Sequence, residues 1–185
     1  PYTRPEALHA TVAERLARGQ VGGWVRGRAE WGPRALGARS ILADPRGDHV
    51  KDHLNRKVKL REPFRPFAPA VLEDEAARWF VPASGKQDLT TSLMCSVAPA
   101  TAEARAQLPA VVHVDGTARV QHVSASSDLG HLLTEFRQRT GVGVLLNTSF
   151  NLAGEPMVGS VAEACSTFLR SELDFLVVED CVVQR

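Results

Sequence analysis

Three cysteines in 185 residues, Cys95, Cys165 and Cys181, are odd in number and widely spaced, and none belongs to a Cys-x-x-Cys pair. That excludes a disulfide framework and a cysteine-based metal site, and predicts free, mostly buried thiols in a reducing cytoplasm. No apolar run approaches the ~18 residues of a membrane span, and no basic-then-apolar leader opens the chain. Aromatic side chains make up only 6% of the sequence, and the basic stretch from Arg26 to Arg65 lacks the aromatic interleaving of a base-stacking surface. Motif absences narrow the chemistry further. The sequence contains no Gly-x-x-x-x-Gly-Lys-Ser/Thr, no Gly-x-Gly-x-x-Gly, no Gly-x-Ser-x-Gly and no His-Glu-x-x-His. It is therefore not a P-loop protein, a dinucleotide binder, a serine hydrolase of the nucleophile-elbow type or a zincin. His49 and His53 stand four apart but have no third ligand near them, so they read as solvated helix residues.

What remains is an ordinary globular composition, 44% hydrophobic and 23% charged. A chain of this length buries about 70% of its unfolded surface without disulfide staples. Lysine is rare: there are four against eighteen arginines. The net charge of +1 hides an asymmetry, because Arg26 to Arg65 carries +6 and the remainder −5. A local cationic excess dominated by guanidinium suits phosphate or carboxylate, which the planar fork grips bidentately.

The hydrophobic pattern predicts a mixed α/β domain with a partly antiparallel sheet. Thr3 and Glu6 read as a capping box before a helix carrying Leu8, Val12 and Leu16, ended by Gly19. Strands are expected at 20–25, 40–43, 70–72 and 89–97. Helices are expected at 48–58 and 73–80. Asp115-Gly116 between apolar runs 111–114 and 117–123 is a hairpin signal. Ser127 caps a helix that stops at Gly141, and 142–146 forms a buried strand. Ser160 and Glu163 form a second capping box, with Cys165, Phe168 and Leu169 inward, and strands at 175–178 and 181–183 close the sheet.

Three segments carry chemistry. Gly27 to Ser40 has three glycines and a proline, and projects Arg28, Arg34 and Arg39. Backbone N–H groups and guanidinium together make an anion cradle. Lys59, Arg61 and Arg65 have even spacing, so in an extended segment they share one face, and their mutual repulsion favours an anion among them. Asn147, Thr148, Ser149 and Asn151 follow a buried strand, at the carboxyl end where open α/β sheets place ligands.

The run from Glu30 to Arg46, reading Glu-Trp-Gly-Pro-Arg-Ala-Leu-Gly-Ala-Arg-Ser-Ile-Leu-Ala-Asp-Pro-Arg, resembles the signature of the C-terminal domain of the O-carbamoyltransferases of nodulation and antibiotic tailoring. The segments Lys57 to Pro69, Asp115 to Gln121 and Leu146 to Asn151 resemble further blocks of that family, in family order. The resemblance implies a YrdC-like α/β fold over residues 1–185, a twisted mixed sheet with flanking helices and a positively charged concave face. It implies an enzyme half that takes carbamoyl phosphate and ATP, with Mg²⁺ on the triphosphate, and forms O-carbamoyladenylate. Carried over by motif, Arg34, Lys59 and Arg65 would be catalytic, holding carbamoyl phosphate and stabilising the developing phosphate charge. Arg39, Arg61, Arg119 and Asn147 would contact substrate, and Ser40, Ser149 and Asn151 the nucleotide. No metal ligand is expected in this chain. An N-terminal actin-like, metal-binding domain would pass the carbamoyl group to an acceptor hydroxyl. Nothing here corresponds to that domain, and the chain, which begins at Pro1, is expected to be a fragment or a separate subunit. Two other readings stand beside this one: a threonylcarbamoyl-adenylate synthase-like enzyme, and a non-catalytic RNA-binding module using the same basic surface.

Overall fold

The computed structural model describes residues 1–81 and 89–185. Among these, eight strands form one sheet in the order β1 (Tyr2–Thr3), β10 (Cys181–Gln184), β9 (Phe175–Val178), β2 (Gly22–Val25), β3 (Arg39–Ala43), β8 (Val144–Ser149), β4 (Ala68–Leu72) and β7 (Gln121–Val123). The β9–β2 and β4–β7 pairs are parallel and the other five antiparallel. A separate two-stranded ribbon joins β5 (Ala98–Pro99) to β6 (Thr117–Ala118).

Helices cover both faces, which is why β2, β3 and β4 are buried at every position and why β2, β4 and residues 41–43 of β3 are apolar without alternation. On one face α1 (Leu8–Ala17) and α6 (Asp128–Thr140) pack Val12, Leu16, Leu132 and Phe136 against Trp24, Leu42, Leu145 and Val177. On the other face lie α2 (Asp48–His53) with its π-helical continuation Leu54–Val58, α3 (Ala76–Trp79), α5 (Ala102–Gln107) and α7 (Val161–Arg170). They bury Leu54, Val58, Trp79, Ala104 and Phe168 against Ile41, Val71, Leu146 and Leu176. A short helix, α4 (Leu89–Ser92), packs at the β7 edge.

The local stop and start signals around α6 and α7 work as their chemistry dictates. Ser127 accepts the Gly130 N–H, and Gly141 ends α6 with φ +76°, a left-handed turn that glycine adopts without a Cβ clash. Ser160 and Glu163 form a complete capping box on α7.

Five expectations need correction. Helix α1 has Ala7 at its N-cap with no side-chain bond, because Thr3 is drawn into β1 by pairing with Val182. Residues 89–97 form α4 and a turn rather than a strand. The Asp115-Gly116 turn exists, with Asp115 accepting from Thr117, but no strand precedes it; β6 pairs with β5 instead and β7 leaves to join the main sheet. Leu169 is solvent-exposed, on the outer side of α7. The three cysteines are free, but none is buried.

Candidate anion site at the exit of the central strand

Strand β8 lies between β3 and β4, with Asn147 opposite Leu42 on one side and Ala68 on the other. Its last residues, Asn147, Thr148 and Ser149, open onto a cavity of about 90 Å³ whose walls also carry Arg34, Arg61 and Arg119. No aspartate or glutamate is among the lining residues. Three arginines therefore share walls that carry no carboxylate, and from outside the cavity the Glu62 charge offsets that of Arg61 in part.

The loop between β2 and β3 delivers Arg34. It is built by one carboxylate and one guanidinium turned inward. Glu30 Oε1 accepts the N–H groups of Leu36 (2.8 Å), Ala38 (2.6 Å) and Arg39 (3.2 Å). Arg39, 7% exposed, donates to the carbonyls of Arg26, Gly27 and Ala38. Ser40 Oγ accepts from the Gly37 N–H, where φ is +109°. Arg39 and Ser40 are thus committed to holding the loop, and neither lines the cavity.

The second cationic set is not an extended strand. Lys59 caps the π-helical turn with right-handed helical backbone and Leu60 has φ +45°, so the three residues do not share the face of one extended segment. Arg61 donates to Asn55 Oδ1 at 2.6 Å and lies over the Phe67 ring at 4.6 Å. Asn55, fully buried, also donates to the carbonyls of Pro63 and Arg65, so it fixes both the proline-rich loop and the Arg61 guanidinium. Lys59 is buried, and its Nζ donates to the backbone carbonyls of Ser149 and Asn151 and to Asn151 Oδ1. It has no anionic partner there, and burial, with the Arg61 charge adding to it, pulls its pKa from 10.5 to about 7. Asn151 is likewise engaged within the loop, donating to Leu152 and Glu155. Arg65 is exposed and lies 4.0 Å from Glu62.

The electrostatics of the cavity record the crowding. Burial, then the charges of Arg65 and Arg119, lowers Arg61 to about 10. Burial and Arg34 also lower Arg119, whose Nε is buried without a hydrogen-bond partner. An anion bound among these groups would relieve all of these costs together. The site thus gathers five of the expected residues, Arg34, Arg61, Arg119, Asn147 and Ser149. It leaves Lys59 and Asn151 just behind its wall, Arg65 outside, and Arg39 and Ser40 in the supporting loop.

A second cavity of about 650 Å³ adjoins the other side of the β2–β3 loop, bordered by Leu36, Gly37, Ala38, Gln121, Ser127 and Asp128 among others. Gln121 belongs to the partition: Nε2 donates to the Leu36 carbonyl at 2.7 Å, and Oε1 accepts from Asn147 Nδ2 at 2.7 Å. Neither Gln121 nor Asn55 carries a sequence signal that reveals its role, since each acts through partners remote in the chain or through loop carbonyls. Among the described residues no group of three or more His, Cys, Asp or Glu is placed to hold a metal ion.

The pattern that defines the carbamoyltransferase C-terminus matches residues 13–185, and the chain belongs to that family. It is 48% identical over 184 residues to nodulation protein NolNO of Sinorhizobium fredii, covering 98% of this chain and 27% of that protein. It is 44% identical over 185 residues to nodulation protein NolO of Bradyrhizobium diazoefficiens, covering 98% and 33%. The chain thus spans about a third or less of the length of these relatives. In fold it is similar to full-length HypF, solved in its phosphate- and nucleotide-bound form (TM-score 0.68, 18% identity, 97% of this chain and 26% of that one). It is also similar to Pyrococcus abyssi Sua5 carrying two substitutions (TM-score 0.58, 11% identity, 93% and 48%). The YrdC-like mixed α/β fold implied by the sequence blocks is the fold observed.

Proposed function

We propose that this chain binds carbamoyl phosphate and ATP and forms O-carbamoyladenylate, for transfer to an acceptor hydroxyl by the remainder of a longer protein. The observation that carries this reading is the convergence of Arg34, Arg61 and Arg119 on a small cavity without a carboxylate. Guanidinium groups held in a water-poor site stabilise a phosphate as its negative charge grows. In this reading water attacks the carbonyl carbon of carbamoyl phosphate, the bond to the phosphate oxygen breaks, and the departing phosphate takes up both of water's protons, leaving carbamate. The carbamate oxygen then attacks the α-phosphorus of ATP and pyrophosphate leaves. The 650 Å³ cavity across the Gln121 partition supplies the room a nucleoside needs, and HypF, which shares the fold, has been solved with phosphate and nucleotide bound. Mg²⁺ would arrive on the triphosphate. Lys59 supports the reading from behind, tying the backbone of Ser149 and Asn151 so that the end of β8 keeps its place. Among the described residues no helix is long and apolar enough to cross a membrane.

The test is pyrophosphate release from ATP by the purified chain, with and without carbamoyl phosphate. Release should require both substrates. Arg119→Ala should weaken carbamoyl phosphate binding by ~1.5–3 kcal/mol, the scale of a hydrogen bond to a charged group. Wild-type binding that is undetectable, or that Arg119→Ala leaves unchanged, would remove the assignment.

A further inference from the structure

We infer that Asn55 is a positioning residue of the arginine cavity: its buried carboxamide holds the Arg61 guanidinium in place before any anion arrives, and does so without cancelling its charge. This rests on the reading of that cavity as a phosphate-binding site and deepens it.

Asn55 is fully buried in the π-helical turn Leu54–Val58, and its neighbours fix which way its amide points. The carbonyls of Pro63 and Arg65 only accept, so the atom facing them at 3.2 and 3.1 Å is Nδ2. A guanidinium only donates, so the atom facing Arg61 Nε at 2.6 Å is Oδ1. Nδ2 is thus committed to the loop and Oδ1 to the cation. The Asn55 backbone carbonyl accepts the Arg61 N–H as well, at 3.0 Å. One residue therefore fixes the backbone of Arg61, its side chain and the loop that follows it.

The consequence for Arg61, which lines the cavity, is geometric and electrostatic. Nε is spent on Asn55, and Nη2 reaches the Pro66 carbonyl at 3.4 Å. Both bonds lie on the Nε–Nη2 edge, so the Nη1–Nη2 end of the fork is what Arg61 offers a ligand. The Phe67 ring, 4.6 Å away, supports the guanidinium from one side. The charges of Arg65 and Arg119 act against that of Arg61, and a flexible cation so placed turns toward solvent unless something holds it. A carboxylate would hold it more strongly but would neutralise the charge an anion needs. Aspartate would also leave the Pro63 and Arg65 carbonyls without their donor, and leucine, of similar size, supplies neither bond. The carboxamide accepts from the cation, donates to the loop and stays neutral. Asn55 does not line the cavity itself; it acts through Arg61.

The experiment is a double-mutant cycle, read by calorimetric titration of the 185-residue chain with inorganic phosphate. Asn55→Leu should weaken phosphate binding about tenfold or more, the scale of a hydrogen bond to a charged group, and Arg61→Met should weaken it at least as much. In the Arg61→Met background, Asn55→Leu should change the affinity by less than about twofold, because the residue it positions is gone. An equal loss in both backgrounds would mean that Asn55 only shapes the loop, and would overturn the proposal while leaving the arginine site standing. A wild-type chain that binds no phosphate, or an Arg61→Met variant that binds it as tightly as wild type, would remove both. A second measurement needs no Asn55 variant. In ¹⁵N spectra of the phosphate-free wild type, the Arg61 Nε–H is assigned by its loss in Arg61→Met. It should exchange with water at least about tenfold more slowly than the Nε–H of exposed Arg28. Equal exchange rates would overturn the proposal even where Asn55→Leu fails to fold.

Discussion

Lys59 shows most clearly how a side chain's surroundings decide its role. Its ammonium sits among neutral oxygens of Ser149 and Asn151, with Arg61 as its charged neighbour and no carboxylate to balance it. Folding therefore favours its neutral form, and the unfolded chain binds more protons between about pH 7 and the ordinary lysine value of 10.5. Stability must rise with pH across that window, by at most about 1.4 kcal/mol per unit. Below pH 7 the group is charged in both states and the slope vanishes. Lys59→Met should abolish the slope, which urea unfolding of both proteins at pH 7 and pH 9 will measure; parallel changes in the two proteins would place the titration elsewhere. Arg39 makes the complementary point. Its guanidinium faces three backbone carbonyls, and so an arginine in the middle of a strongly basic segment braces the loop.

Between elements, α1 and α6 are joined by more than apolar packing. Asp128, the first residue of α6, accepts from His9 of α1 at 2.9 Å and takes both arms of Arg26, at 2.7 and 2.9 Å, from the end of β2. Burial alone would raise the Asp128 carboxyl; the bonds from His9 and Arg26, and the Arg26 charge, outweigh it and hold the group well below the usual carboxylate range. A depressed carboxylate adds stability at neutral pH that is lost as pH falls below its unfolded value of about 3.9. Asp128→Asn should therefore cost stability at pH 7 and lose less than wild type on acidification, so that the two unfolding curves converge toward pH 2. An equally steep acid limb in the variant would assign it to other carboxylates. The negative charge in the first turn also complements the helix dipole.

For the whole molecule, anion binding at the arginine cavity, as proposed, would be linked to stability. Any ligand that binds only the folded chain stabilises it by about 2.7 kcal/mol at a hundred times its dissociation constant. Inorganic phosphate should raise the midpoint of thermal unfolding relative to chloride at matched ionic strength, and Arg34→Ala should reduce that gain. An equal rise in wild type and variant would mean that phosphate acts through general exclusion from the surface. A non-specific polyanion surface would respond differently, since its binding falls steeply with salt and spreads over many cations, whereas three guanidinium groups here share one small cavity.

Much of the fold was legible locally. The Ser127 cap, the Gly141 stop and the Ser160–Glu163 box lie within a few residues of the backbone groups they satisfy, and β2, β4 and the central parts of β3 and β8 are apolar because helices cover both faces of the sheet. Patterns of the same kind failed where a remote partner competed. Thr3 pairs with Val182 rather than capping α1, and the strand after Asp115-Gly116 pairs with β5 rather than with the residues before the turn. The site divides along the same line. Sequence blocks singled out Arg34, Arg61, Arg119, Asn147 and Ser149, which the fold gathers at one cavity. Which arginines line that cavity and which brace the backbone were decided by tertiary contacts, of the kind that joins Asn147 to Ala35, 112 positions apart. Such contacts exist only once the sheet has set its register, and a hydrogen bond across that separation leaves no periodic trace in the chain that makes it.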